Sequence, residues 1–334
     1  MNPLHETVRA LMQQGKGILA ADESNPTASK RLEGVGVEPT EENRRRYREL
    51  LFTAPGVDKY LSGVILFDET MRQAADDGTI FPQLLISRDI IPGIKVDQGL
   101  EDVDGGQVTK GLKGLKDRLQ EYKSMGARFA KWRAVAVVGD GYGDPVIKEN
   151  ARRMAEYARV CQEVGFVPIV EPEVLMTGTH SAEAAEGSII ESVAIVFDAL
   201  KKEGVDLPGV ILKTSMAVSG KDAPDRADAE EVAERTVRAL TTSTPSECGG
   251  VVFLSGGQAP DEATANLNAI ARLEPHPWPI TFSFSRAIQE PVLDTWRGND
   301  EKKQEAQAAL LYRLSLNVAA DGGGYGKGME NTAL

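Results

Sequence analysis

A chain of 334 residues, 41% hydrophobic and 26% charged, carries ample apolar material for a large core. It is long for one ordinary domain but not for an α/β barrel, which reaches about 250 residues or more as one unit. The net charge of −12 argues against nucleic acid as a partner, since phosphate backbones require broad cationic surfaces, yet leaves room for small anions held by local clusters.

The first segment, Met1 to Gln14, reads as a short amphipathic helix without an apolar signal core. No run approaches bilayer length, so no membrane partner and a cytoplasmic location are expected. Apolar, β-prone runs then follow at 16–20, 63–67, 93–96, 129–135, 167–170, 209–212, 250–254 and 280–282. Between them, helical spacing appears at 41–52, 112–125, 146–164, 184–202, 228–241, 263–271 and 301–318. Near-continuous apolar strands fit a parallel sheet covered on both faces, and this alternation predicts a single-domain (β/α)8 TIM barrel over residues 1–334. A doubly wound open sheet is the alternative. It is weakened because Leu19-Ala20-Ala21-Asp22-Glu23-Ser24 stands where a Gly-x-Gly-x-x-Gly turn belongs. The Gly-rich end, about 322–334, reads as a flexible tail.

Cys161 and Cys248 lie far apart and read as reduced, half-buried thiols. His5, His180 and His276 are scattered and form no metal-binding helix, so neither a metal nor a cofactor is expected.

The chemistry concentrates where apolar runs end in charge. Reactive groups of such a barrel gather at the C-terminal ends of its strands, which places Asp22, Lys95, Lys131, Arg133, Glu171, Glu173, Lys213, Ser255, Ser283 and Arg286 around one mouth. The i, i+2 spacing of Lys131/Arg133 and of Glu171/Glu173 aims both members of each pair to one strand face. Four inward cations would then meet three carboxylates, a balance that suits an anionic ligand. An ordinary lysine is almost wholly protonated at pH 7, and desolvation beside another ammonium favours the neutral, nucleophilic amine. Lys213 is therefore the expected nucleophile, with attack on a carbonyl to give a Schiff base. The competing reading is a structural ion pair of Lys213 with Glu171 or Glu173.

Ser255-Gly256-Gly257 and Ser283 with Arg286 follow the seventh and eighth runs, where barrels frequently bind phosphate. Glycine lets backbone N–H groups approach an anion, and Arg286 can hold it through two bonds. A second anion site could be built across the mouth from Lys95, Arg133 and the basic pair Lys30 and Arg31. Two such sites flanking a buried lysine suggest a substrate phosphorylated at both ends.

Together, Gly15-Lys-Gly-Ile-Leu-Ala-Ala-Asp-Glu-Ser24, Thr40-Glu-Glu-Asn-Arg44, Gly93-Ile-Lys-Val-Asp97, Phe129-Ala-Lys-Trp-Arg133, Val170-Glu-Pro-Glu173, Leu212-Lys213, Phe253-Leu-Ser-Gly-Gly-Gln258 and Phe282-Ser283 with Arg286 resemble the class I fructose-1,6-bisphosphate aldolases, in order from about residue 5 to 320. The resemblance implies a metal-independent Schiff-base mechanism and commonly a homotetramer. It gives Lys213 the imine with the C2 ketone, Glu171 the acid/base work of carbinolamine formation and dehydration, and Asp22 the C4 hydroxyl proton. Lys131 would stabilise developing charge, and Glu173 would support Lys213. Ser255, Gly256, Gly257, Ser283 and Arg286 would hold the C1 phosphate. Lys95, Arg133 and Arg31, with Thr27, would hold the C6 phosphate. Three departures stand out. Thr27 replaces a serine familiar from animal members, Thr214-Ser215-Met216 stands where a proline and an asparagine are usual, and the chain ends in Leu334 instead of tyrosine. The other readings are an aldolase preferring sedoheptulose 1,7-bisphosphate and a non-catalytic sugar-phosphate-binding scaffold.

Overall fold

The computed structural model describes residues 2–138 and 144–331. Helix α1 (Pro3–Leu11) opens the chain, with Asn2 capping it by accepting from Leu4 N at 3.0 Å. There follow β1 (Gly17–Ala21), α2 (Asn25–Gly34), α3 (Glu41–Phe52), β2 (Leu61–Leu66), α4 (Asp68–Arg72), α5 (Phe81–Ile86) and β3 (Ile91–Lys95). A hairpin of β4 (Leu100–Val103) and β5 (Gly106–Thr109) comes next, then α6 (Leu115–Ser124), β6 (Phe129–Ala136), α7 (Asp144–Val164) and β7 (Val167–Val174). The second half runs α8 (Ala182–Lys202), β8 (Ile211–Thr214), α9 (Ala229–Ser243), β9 (Gly250–Phe253), α10 (Pro260–Ala271), β10 (Ile280–Phe282), α11 (Arg286–Trp296) and α12 (Lys303–Asp321).

Eight strands form one parallel sheet in the order β1, β2, β3, β6, β7, β8, β9, β10. Ala20 N donates to Phe284 O at 3.0 Å and closes the ring between its first and last members. This is the expected (β/α)8 barrel. Helix starts carry the signals their sequences offer. Thr40 caps α3 by accepting from Asn43 N at 3.1 Å, with Glu41 and Glu42 in the first turn, and Asp228 caps α9 by accepting from Glu231 N at 2.9 Å.

Alternation within the strands builds two layers inside the ring. Ile18, Ala20, Ile65, Phe129, Val167, Ile169, Ile211 and Val252 fill the lower barrel, and Val8, Leu11 and Met12 of the α1 region pack against them as a plug. Phe129 lies across the axis so closely that a Cβ on Gly93 would sit 2.3 Å from its ring, which explains a glycine in the middle of β3. On the same inward face, two residues further along, come Lys131 after Phe129, Glu171 after Ile169 and Lys213 after Ile211. The barrel is thus apolar at its base and ionic at its mouth.

Several elements escaped the periodicity. Helix α2 buries only Leu32, so it has no apolar stripe to read, and α11 carries Pro291 in its interior. The hairpin β4–β5 is too short and polar to register. The tail differs from expectation through residue 331. Arg313 pairs with Glu330 at 2.6 Å, Tyr325 Oη donates to Glu330 at 2.9 Å, and Tyr325 N donates to Asn268 Oδ1 at 2.9 Å. A glycine-rich composition therefore encodes a turn that docks on α10 and α12, while the expectation for 332–334 lies outside the described residues.

Candidate active site

Four charged side chains meet above the apolar layer, each more than nine-tenths buried: Asp22 from the end of β1, Lys131 from β6, Glu171 from β7 and Lys213 from β8. Lys131 Nζ stands 2.7 Å from Asp22 Oδ2 and 3.1 Å from Glu171 Oε2, while Lys213 Nζ stands 3.0 Å from Glu171 Oε1. Glu171 thus bridges two ammonium groups. Its Oε2 faces Lys131 as a charge contact without hydrogen-bond alignment, and so keeps acceptor capacity. Both amines belong to a balanced quartet, since isolated buried charges would be too costly.

Burial alone would raise the Asp22 pKa, but Lys131 and Lys213 outweigh it and hold the carboxyl well below the usual range. Glu171 is lowered for the same reasons: burial opposes, and Lys131 and then Lys213 prevail. Burial disfavours the Lys131 ammonium, yet Asp22 and Glu171 more than compensate and raise its pKa above that of a free lysine. At neutral pH Asp22 is therefore ionised, and Lys131 a fixed cation.

A second ring of charge supports the first. Arg133 Nε donates to Glu173 Oε2 at 2.5 Å, and burial, which disfavours the guanidinium, is overcome by that partner. Lys95 is paired with Asp97, whose other oxygen accepts from Arg133 N at 3.4 Å. Asp97 is buried and adds a carboxylate to the three expected to face inward. Across the mouth, Glu23 is pinned by Arg31 and by Arg48, and accepts from Ser285 Oγ at 2.7 Å and Gln289 Nε2 at 2.9 Å. Arg31 also donates to Ser285 Oγ at 3.3 Å. The residues expected to form one distal anion site are hence drawn to two places: Lys95 and Arg133 around Asp97 at β3 and β6, and Arg31 against the β10 loop. Sequence reasoning missed Asp97, Glu23, Arg48 and Gln289. Asp97 ends the same motif as Lys95 and was readable there, whereas Arg48 and Gln289 sit on helices with nothing local to mark them.

One cavity of about 1210 Å³ opens at this mouth. Asp22, Thr27, Arg31, Lys95, Lys131, Arg133, Glu171, Glu173, Lys213, Ser255, Gly256, Ser283 and Arg286 all reach it, and of the expected site residues Gly257 does not. Gly257 is exposed, and a Cβ there would lie 3.5 Å from Met176 Sδ and 3.7 Å from Arg286 Nη2. Among the described residues nine cationic side chains and seven carboxylates line the space, an excess of positive charge in a chain of net charge −12. Among the described residues no carboxylate pairs with Arg286, which donates to Gly256 O at 2.7 Å. Ser283 Oγ is buried in the wall with no hydrogen-bond partner. A buried hydroxyl without a partner among the described residues, on the same cavity wall as a guanidinium that no described carboxylate neutralises and a glycine at φ +57°, is a receptive arrangement for an anion.

A family model described as glycolytic, class-I fructose-bisphosphate aldolase matches residues 3–334. The chain belongs to the class I fructose-bisphosphate aldolases. A probable class 1 fructose-bisphosphate aldolase of Xanthomonas campestris pv. campestris is 48% identical over 90% of this chain and 93% of its own. A fructose-bisphosphate aldolase of Plasmodium falciparum is 46% identical over 98% of this chain and 91% of its own. In three dimensions the chain superposes on a Plasmodium falciparum aldolase, solved in complex with TRAP and a small-molecule inhibitor, with a TM-score of 0.95, 44% identity and coverage of 97% and 95%.

This aldolase accommodates its departure after Lys213 without leaving the barrel geometry. Ser215 Oγ accepts from Val174 N at 3.0 Å and donates to Val174 O at 2.9 Å, and Thr236 Oγ1 accepts from Ala217 N at 2.9 Å. Thr27 sits at the cavity rim with its hydroxyl 3.2 Å from that of Ser24.

Proposed function

We propose that Lys213 forms the Schiff base with the C2 ketone of fructose 1,6-bisphosphate and that the buried quartet carries the proton transfers. The supporting observation is Glu171 placed within 3.1 Å of both Lys131 and Lys213. Lys213 must lose a proton before attack, and Glu171 is the nearest acceptor. As that proton moves, one of the two cations depressing the Glu171 pKa disappears, so the carboxyl holds the proton more firmly. The amine then adds to C2, and Glu171 returns the proton to the carbinolamine hydroxyl, which leaves as water.

Asp22, kept ionised by Lys131, takes the C4 hydroxyl proton. The C3–C4 bond breaks, its electron pair flows into the iminium to give an enamine, and glyceraldehyde 3-phosphate departs. Lys131 stays charged and stabilises the anionic character that develops beside it. Protonation of the enamine and hydrolysis of the imine release dihydroxyacetone phosphate. Glu173 acts by fixing Arg133. In this reading Ser255, Gly256, Ser283 and Arg286, with Gly257 shaping the turn, receive the C1 phosphate. Lys95 and Arg133 receive the C6 phosphate, with Thr27 and Arg31 at the opposite rim. The protein works as one catalytic domain, in the cytoplasm, as a homotetramer of the kind its resemblance implies.

Borohydride reduction in the presence of substrate is the test. A dihydroxyacetone phosphate adduct should map to Lys213 by peptide mass spectrometry; an unmodified Lys213 refutes the mechanism. Activity should persist in a strong chelator, and kcat/KM should be higher for fructose 1,6-bisphosphate than for sedoheptulose 1,7-bisphosphate.

A further inference from the structure

Strand β7 stays paired with β6 along its whole length, to Ala136 opposite Val174, but its ladder with β8 stops at Val170 opposite Leu212. Composition explains the break. Val167 N and Leu175 N both bond to carbonyls on the β6 side, Arg128 O at 3.1 Å and Ala136 O at 2.9 Å. Backbone groups alternate between neighbours along a strand, so residues of the other parity, Val170, Pro172 and Val174, face β8. Pro172 has no N–H to give, so the ladder loses its next bond there. The last backbone ties thus lie at the level of Val170 and Leu212, and beyond Lys213 the ladder no longer joins the two strands.

One side chain rejoins them. Ser215, two residues beyond Lys213, takes both polar groups of Val174 with a single hydroxyl, accepting from its N at 3.0 Å and donating to its O at 2.9 Å. All of these atoms are buried. The Lys213–Glu171 contact is therefore bracketed, with the last ladder pair below it and the Ser215 bridge above it. We propose that Ser215 is a positioning residue that holds β8 against β7 and so sets the separation of Lys213 Nζ from Glu171. Ser215 touches no reacting atom in this scheme. Its effect falls on imine formation and not on phosphate binding, because the two phosphate-binding regions are carried by β3, β6, β9, β10, their loops and α2, whereas the Ser215 side chain, among the described residues, bonds only to Val174 of β7. The inference rests on the reading of Lys213 as the Schiff-base lysine.

The test compares wild type with Ser215→Ala, Ser215→Cys and Ser215→Thr. Two quantities are read on each folded protein: the single-turnover rate of borohydride trapping at Lys213, and the Kd of a hexitol 1,6-bisphosphate, which has both phosphates but no ketone. Ser215→Ala should slow trapping on the order of ten- to a hundredfold, the range that small misplacement of a reacting group produces, with the hexitol Kd changed less than about twofold. Ser215→Cys, whose longer and weaker bonds hold the strands less well, should fall between, and Ser215→Thr should restore the rate. Trapping as fast in the alanine and cysteine variants as in wild type overturns the proposal. So does a hexitol Kd that weakens in parallel with trapping, since that marks general loosening of the barrel. Should Ser215→Ala fail to fold, the graded loss in the cysteine variant and its recovery in the threonine variant decide the matter. Absence of any Lys213 adduct in wild type would instead remove the Schiff-base reading itself, and the Ser215 inference with it.

Discussion

Replacing Lys131 by methionine tests the electrostatics of the mouth most directly. Lys131 faces Asp22 at 2.7 Å and Glu171 at 3.1 Å, and at an effective dielectric of about 20 each attraction is about 5–6 kcal/mol before desolvation is subtracted. Removing one partner of a buried pair typically costs about 3–5 kcal/mol, because the remaining charge stays buried. With an unfolding entropy of about 2.1 cal/mol/K per residue over 334 residues, Tm should fall by about 4–7 °C at neutral pH. The pH dependence should also change sign. In wild type Asp22 and Glu171 have pKa values below their unfolded ones, so their contribution is complete above about pH 4–5 and lost on acidification. In Lys131→Met, burial becomes the dominant influence and Lys213 alone faces two carboxylates. Their pKa values then rise above the unfolded ones, and stability falls as pH rises through that range. Differential scanning calorimetry at pH 5 and pH 8 should show the larger Tm deficit at pH 8, and a coupled NADH assay should show kcat reduced by about 100-fold or more. A variant that melts at the wild-type temperature, or one whose Tm deficit is equal at both pH values, would refute the claim that Lys131 compensates two buried carboxylates.

Two further outcomes follow from single observations. Arg286→Ala should raise KM for the bisphosphate and weaken inhibition by inorganic phosphate by about 10–100-fold, the worth of a charged hydrogen bond, while its Tm stays within about a degree because the side chain is exposed; unchanged phosphate inhibition would place the anion elsewhere. Burial pushes Asp321 up to about 7, against the lowering influence of Thr281. A carboxyl raised above its unfolded value stabilises least once pH exceeds the raised pKa, so Asp321→Asn should raise Tm at pH 8 more than at pH 5. An equal shift at both values would show that Asp321 does not titrate in that range.

Much of this protein is legible in its sequence, because the informative signals are local. Apolar runs ending in Lys131, Glu171 and Lys213 mark strands that carry their chemistry at one end, and the period of two puts each charge on the face of the apolar residue two positions before it. Helix α3 was legible for the same reason, with Thr40 as its cap and buried residues at its far end. What stayed hidden depends on groups distant in sequence. Glu23 looked like the neighbour of a catalytic aspartate, yet Arg48 and Gln289, 25 and 266 positions away, make it the hub that turns Arg31 toward Ser285. The glycines from Gly322 suggested freedom, and only the arrival of Arg313 and Asn268 beside Tyr325 and Glu330 turns that stretch into a docked turn. Sequence alone determined which residues face inward and that lysine, glutamate and aspartate would share the barrel mouth, since alternation is a property of the strand itself. Only tertiary structure decided which cation meets which carboxylate, because pairing energies depend on separations of a few ångströms between strands that no local pattern encodes.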